Sequence, residues 1–252
     1  MKLKLNWVPN TLSLGNLTFG FISILVSSSA VIGSPENSKL FFLSGVFIIL
    51  AAVFDGFDGM VARALNATSD LGAELDTLAD LTTFGIAPGF LMYKMILQKY
   101  QLDLFNTGNY FHVGMFIAAL FPICAAYRLA RFTVAHDPSS FTGLPSPIAG
   151  VIVAFFPITF PNSQIADILT VTGFVVIAWL MVSTIRYSKP QVAMRGKFSK
   201  GKLIFMVGSL VAVLAGVAVG APKLLPYLFY GMILFYVFSG IISLFIQIIQ
   251  EF

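Results

Sequence analysis

Cysteine is nearly missing from the chain. Cys124 stands alone in 252 residues, so no intrachain disulfide can form. Charge is scarce as well: 10% of residues are charged, against about 25% in an average soluble domain. That shortage excludes a soluble globular protein, a solvated disordered chain and a nucleic-acid binder held by a basic surface. The 21 glycines and 12 prolines are spread along the chain, which excludes collagen-like and low-complexity segments. No small-residue cleavage pattern follows Met1–Trp7, so no secretory signal peptide is expected. With Lys2 and Lys4 alternating with Leu3, Leu5 and Trp7, this stretch reads as an interfacial segment, Trp7 at headgroup level.

Apolar residues are abundant: 58% of the chain is hydrophobic and mean hydropathy is +0.90. The expected class is an all-α, polytopic integral membrane protein. Bilayer crossing takes about 20 apolar residues, and eight runs qualify, near 12–31, 40–62, 75–97, 112–132, 145–161, 165–185, 203–220 and 225–248. They are too long for barrel strands, which alternate over about 10 residues. Eight spans place both termini on one side. Eleven of the 15 basic residues then share that side, which the positive-inside rule makes cytoplasmic. Six of the eleven lie between Arg186 and Lys202, where they read first as a topology determinant rather than a lipid-specific site. No repeat or second domain is visible. The expected organisation is one membrane domain over 1–252: a core to residue 185, a basic linker over 186–202, and two further spans.

The acids are unevenly placed. Asp55, Asp58, Asp70, Glu74, Asp76 and Asp80 fall within 26 residues, and three of them, Asp55, Asp76 and Asp80, sit at or inside the ends of apolar runs. A carboxylate at membrane depth is costly unless paired or metal-bound, so the cluster points to function. Asp55 and Asp58 are three apart, and Asp76 and Asp80 four apart, so each pair shares a helix face. A tight turn between Ala64 and Ala73 would bring two neighbouring antiparallel helices together and aim four carboxylates at one point. Divalent cations would relieve their repulsion. All-oxygen ligands favour Mg²⁺ or Mn²⁺ over Zn²⁺. Four shared carboxylates suit two ions, the arrangement that clamps a phosphoryl group in displacement. Gly56, Gly59, Ala62, Gly72 and Ala73 leave room beside the acids for a phosphate ligand or for close helix approach. Arg63 can fork onto phosphate oxygens, or serve as a positive-inside anchor.

The residues Asp55, Asp58, Gly59, Ala62, Arg63, Gly72, Asp76 and Asp80 stand at the spacing of a known signature. The chain resembles the CDP-alcohol phosphatidyltransferase family at each fixed position. Pro9-Asn10-Thr11-Leu12 resembles the family's N-terminal element near the nucleotide. Ser69–Asp80, Phe84–Pro88, Tyr127–Phe132 and Phe141–Pro147 are similar to the phosphatidylserine synthase branch.

The resemblance implies a membrane enzyme with a six-helix core, here followed by two more helices. It displaces CMP from a CDP-linked donor with an alcohol. Asp55, Asp58, Asp76 and Asp80 would ligate two divalent ions, and Asp80 would also accept the proton of the attacking hydroxyl. Gly59, Arg63, Ser69 and the Pro9–Leu12 element would contact the CDP moiety of CDP-diacylglycerol. Arg128, Arg131 and the turn through Ser146 are candidates to hold the carboxylate of L-serine or a lipid phosphate. For the two arginines, positive-inside anchoring is the competing reading. The resemblance also implies a homodimer, and an archaeal chain could use an ether-lipid donor.

Two other readings compete. One keeps the chemistry with glycerol 3-phosphate, an inositol phosphate or choline as acceptor. The other is a cation transporter with acids along a path, which fits poorly with acids gathered at one leaflet. His112, His136, Cys124 and Asp167 read as interface, loop, core and helix-end residues.

Overall fold

The computed structural model describes residues 7–31, 34, 36–103, 110–135, 141–160 and 167–187, with seven positions between 226 and 237. The protein is an all-α membrane protein. Its described helices are α1 (Trp7–Ser28), α2 (Asn37–Ala64), α3 (Asp70–Asp80), α4 (Ala87–Met95), α5 (Val113–Ala135), α6 (Ser146–Thr159) and α7 (Asp167–Val182). Among the described residues, α1, α2 and α5 are each long and apolar enough to cross a bilayer, and α6 and α7 are shorter apolar helices. A π-helical segment, Leu81–Ile86, joins α3 to α4, so that one winding path runs from Asp70 to Met95. The first six expected spans fall on these helices. The seventh lies outside the described residues, as does most of the eighth and of the basic linker. Two-residue antiparallel ladders are the only strands described: Leu102–Asp103 with Tyr110–Phe111, and Phe141–Thr142 with Arg186–Tyr187.

Among the described helices, α6 is the most deeply buried. Ten of its last eleven residues, Ala149–Thr159, are buried, which explains why its sequence is apolar all round rather than amphipathic. One side meets Ile48 and Ile49 of α2 with Phe84, Ala87 and Leu91. The other meets α5 and α7, where Phe121 and Phe174 stack with ring centroids 4.9 Å apart. Phe160, just past α6, packs edge-on to Tyr227 and Tyr230.

Helix α1 buries a polar and small stripe, Pro9, Ser13, Asn16, Gly20, Ser23 and Ser27, at three- and four-residue spacing. Apolar lipid offers no hydrophobic drive between helices, so small residues and hydroxyl contacts carry such packing. Ser23 and Ser44 join α1 to α2 at 2.7 Å, and the Thr83 hydroxyl donates to the Asn16 carbonyl at 3.1 Å. The Pro9–Leu12 element lies inside the first turns of α1, not ahead of it. Pro9 is tolerated there because a first-turn N–H has no intrahelical partner anyway.

Candidate active site

The polar end of the bundle is built around the α2–α3 turn. Helix α2 ends at Ala64, and Asn66 takes the left-handed conformation with φ 50°, which asparagine tolerates better than most residues. Ser69 caps α3 by accepting from the Gly72 N–H at 3.1 Å. A Cβ on Gly72 would sit 2.9 Å from Asn10 Oδ1 and 3.2 Å from Ser69 Oγ, so glycine is what lets α1 approach the start of α3.

Asp55, Asp76 and Asp80 converge, with one ligand oxygen from each lying within 4.8 Å of the others. Asp55 reaches the carboxyls of both Asp76 and Asp80, and Asp58 reaches Asp76. Asp58 and Asp80 are 5% and 8% exposed. Two like charges 4 Å apart repel by about 4 kcal/mol at an effective dielectric of about 20, so bare carboxylates would hold this arrangement poorly. Asp76 Oδ1 is buried without a hydrogen-bond partner. An all-oxygen donor set with a free, buried carboxylate oxygen fits a hard divalent cation.

The helices that carry these acids are not the close neighbours expected from the sequence. Helix α1 packs along both α2 and α3, while α2 and α3 share little direct packing. The acids therefore meet across a gap that α1 closes. Two residues absent from the sequence reading stand there. The Ser13 hydroxyl donates to Asp58 Oδ2 at 2.6 Å, and Asn16 Nδ2 donates to Asp80 Oδ1 at 3.4 Å. The spacing of polar residues within an otherwise apolar α1 was the signal that could have found them.

The other expected site residues divide. The space beside Gly59 is open except for the Arg63 guanidinium, whose nitrogens lie 3.6 and 3.9 Å from where a Cβ would be. Arg63 also lies close enough to Asp58 to act on its charge. Pro9 is buried and Leu12 half-buried, whereas Thr11 is exposed and donates its hydroxyl to the Trp7 carbonyl at 2.8 Å. Arg128 is 7% exposed, close enough to Asp80 and Asp55 to act on their charge, and donates to Ser146 Oγ at 2.8 Å. Arg131 is anchored at the end of α7. Its Nη1 donates to the Val182 carbonyl at 3.0 Å, and its Nη2 to those of Ser183 and Met181 at 3.2 and 3.4 Å. It thereby covers the C-terminal carbonyls of α7, which a helix leaves without intrahelical donors.

The turn before α6 is sewn to the same place. Gly143 N–H donates to the Ile185 carbonyl at 2.8 Å, and Leu144 N–H to that of Leu180 at 2.9 Å. Gly143 has φ +83° and lies against the Met181 carbonyl, so only glycine is unstrained there. His136 lies outside the described residues.

The chain resembles known proteins over most of its length. Residues 6–185 match the family described as CDP-alcohol phosphatidyltransferase. A CDP-diacylglycerol–serine O-phosphatidyltransferase of Bacillus subtilis is 34% identical over 184 residues, 73% of this chain and 90% of that protein. One from Helicobacter pylori is 32% identical over 249 residues, 96% of this chain and 93% of that protein. An archaetidylserine synthase of Methanothermobacter thermautotrophicus is 30% identical over 187 residues, 72% of this chain and 70% of that protein. With a match over most of its length and an aspartate cluster where the signature falls, the chain belongs to the CDP-alcohol phosphatidyltransferase family of membrane transferases.

Proposed function

We propose that the protein transfers the phosphatidyl group of CDP-diacylglycerol to the hydroxyl of L-serine, releasing CMP. The observation that carries this reading is the convergence of Asp55, Asp76 and Asp80 within 4.8 Å at one end of the bundle. Relatives matched over 90% and 93% of their own length are named for that reaction.

Asp55, Asp58, Asp76 and Asp80 would together hold two Mg²⁺ or Mn²⁺ ions. Such ions would supply positive charge against the donor phosphates and the departing CMP. Gly59 leaves the backbone open to the nucleotide, Arg63 supplies charge beside it, and Ser69 and the Pro9–Leu12 turn line the approach. Asp80 accepts the serine hydroxyl proton, since that hydroxyl is a poor nucleophile at neutral pH without a base in reach. The serine oxygen forms a bond to the lipid-linked phosphorus as the bond from that phosphorus to the CMP oxygen breaks. Arg128, donating to Ser146 and near Asp80, offers its remaining N–H groups to the serine carboxylate or to a lipid phosphate.

The basic bias of the chain favours an active site and both termini facing the cytoplasm. The reading includes a core over 1–185, a basic linker over 186–202, two further helices and a homodimer. The test is CMP release from CDP-diacylglycerol by the purified protein with Mn²⁺, with and without L-serine, beside Asp80→Asn. Serine-dependent release that the variant lacks supports the acceptor and the base. Release only with another alcohol overturns the acceptor, and none with any alcohol overturns the transferase reading.

A further inference from the structure

We propose that α1, which carries no carboxylate, positions the aspartates: Ser13 fixes Asp58 on α2 and Asn16 fixes Asp80 on α3. The proposal rests on the reading of the four aspartates as metal ligands.

Ser13 and Asn16 are three residues apart and share a helix face, yet they reach different helices. Both are buried, at 3% and 0% exposure, in a segment otherwise suited to lipid. The Ser13 oxygen lies 3.3 Å from the Pro9 carbonyl and 2.6 Å from Asp58 Oδ2. A hydroxyl has one proton, and the short contact to the ionisable group is the stronger claim on it. Asn16 is held on its backbone side by the Thr83 hydroxyl. Its Nδ2 meets one Asp80 oxygen and leaves the other unengaged by α1. Because α2 and α3 pack on α1 more than on each other, the separation between the two aspartate pairs is set through this helix. Hydrogen bonds of this kind orient ligating carboxylates, and their loss weakens metal affinity about 10–100-fold.

Ser23 supplies an internal comparison. It is as buried as Ser13, but its hydroxyl meets Ser44 across the α1–α2 contact, far along the stripe from the acids. Its role is packing alone.

The experiment measures Mn²⁺ binding by electron paramagnetic resonance titration of the full-length detergent-solubilised protein without substrate. The variants are Ser13→Ala, Ser13→Thr, Asn16→Ala, Ser23→Ala and Asp76→Asn. We expect Ser13→Ala and Asn16→Ala to weaken Mn²⁺ binding about 10–100-fold, Ser13→Thr to restore it, and Ser23→Ala to leave it unchanged. Ser13→Cys, close in volume and a poor donor, carries the test if Ser13→Ala does not fold. Wild-type affinity in the Ser13 and Asn16 variants overturns the proposal, as does equal weakening in Ser23→Ala. If wild type and Asp76→Asn bind Mn²⁺ alike, the metal-ligand reading itself has failed, and this proposal with it.

Discussion

Arg128 donates to Ser146 Oγ across 2.8 Å, joining the C-terminal part of α5 to the first turn of α6 beside Asp80. A hydrogen bond to a charged group contributes about 1.5–3 kcal/mol. On the proposed acceptor side, Ser146→Ala should therefore raise the serine KM by about tenfold or more, with the KM for CDP-diacylglycerol little changed. Steady-state CMP release with each substrate varied in turn decides it. An equal rise in both constants would count against an acceptor-side role.

Arg131 spends N–H groups on three carbonyls at the end of α7. Its removal should act first on stability. Arg131→Ala is expected to lower the melting temperature, by an amount matching the loss of about 1–3 kcal/mol, read by thermal unfolding in detergent. An unchanged melting temperature together with a raised serine KM would instead make Arg131 a direct acceptor contact.

Gly143 combines φ +83° with a close approach to the Met181 carbonyl. Placing an L side chain in that conformation costs about 1–2 kcal/mol before any clash. Gly143→Ala should destabilise the turn that leads to Ser146, lowering both the melting temperature and the serine-dependent rate. A variant as stable and active as wild type would show that the turn tolerates another backbone path.

Asp76 stands between Asp55 and Asp58 in a cluster of like charge. Removing one charge relieves repulsion in the metal-free protein. Asp76→Asn should therefore melt higher than wild type in chelator, by about 2–4 °C for each kcal/mol relieved. It should gain nothing from Mn²⁺ and release no CMP above background. Melting scans with and without Mn²⁺ test this, and a Mn²⁺ shift equal to that of wild type would remove Asp76 from the metal site.

The apolar runs by themselves determine an all-α membrane protein, because a bilayer leaves few ways to satisfy a backbone. The spacings of Asp55 with Asp58 and of Asp76 with Asp80 put each pair on one face, since helix periodicity depends on nothing beyond the local chain. Partner choice is different in kind. Spacing places Arg128 and Arg131 on a common face of α5, yet one meets Ser146 and the other the end of α7. Spacing likewise says that Ser13 and Asn16 face together, but not that one faces Asp58 and the other Asp80. The π segment after Asp80 shifts the helical register in a way that 3.6-residue periodicity does not encode. Those contacts come from how helices distant in sequence pack, and a hydrogen bond between residues 45 or 64 positions apart exists only once the fold has brought them together.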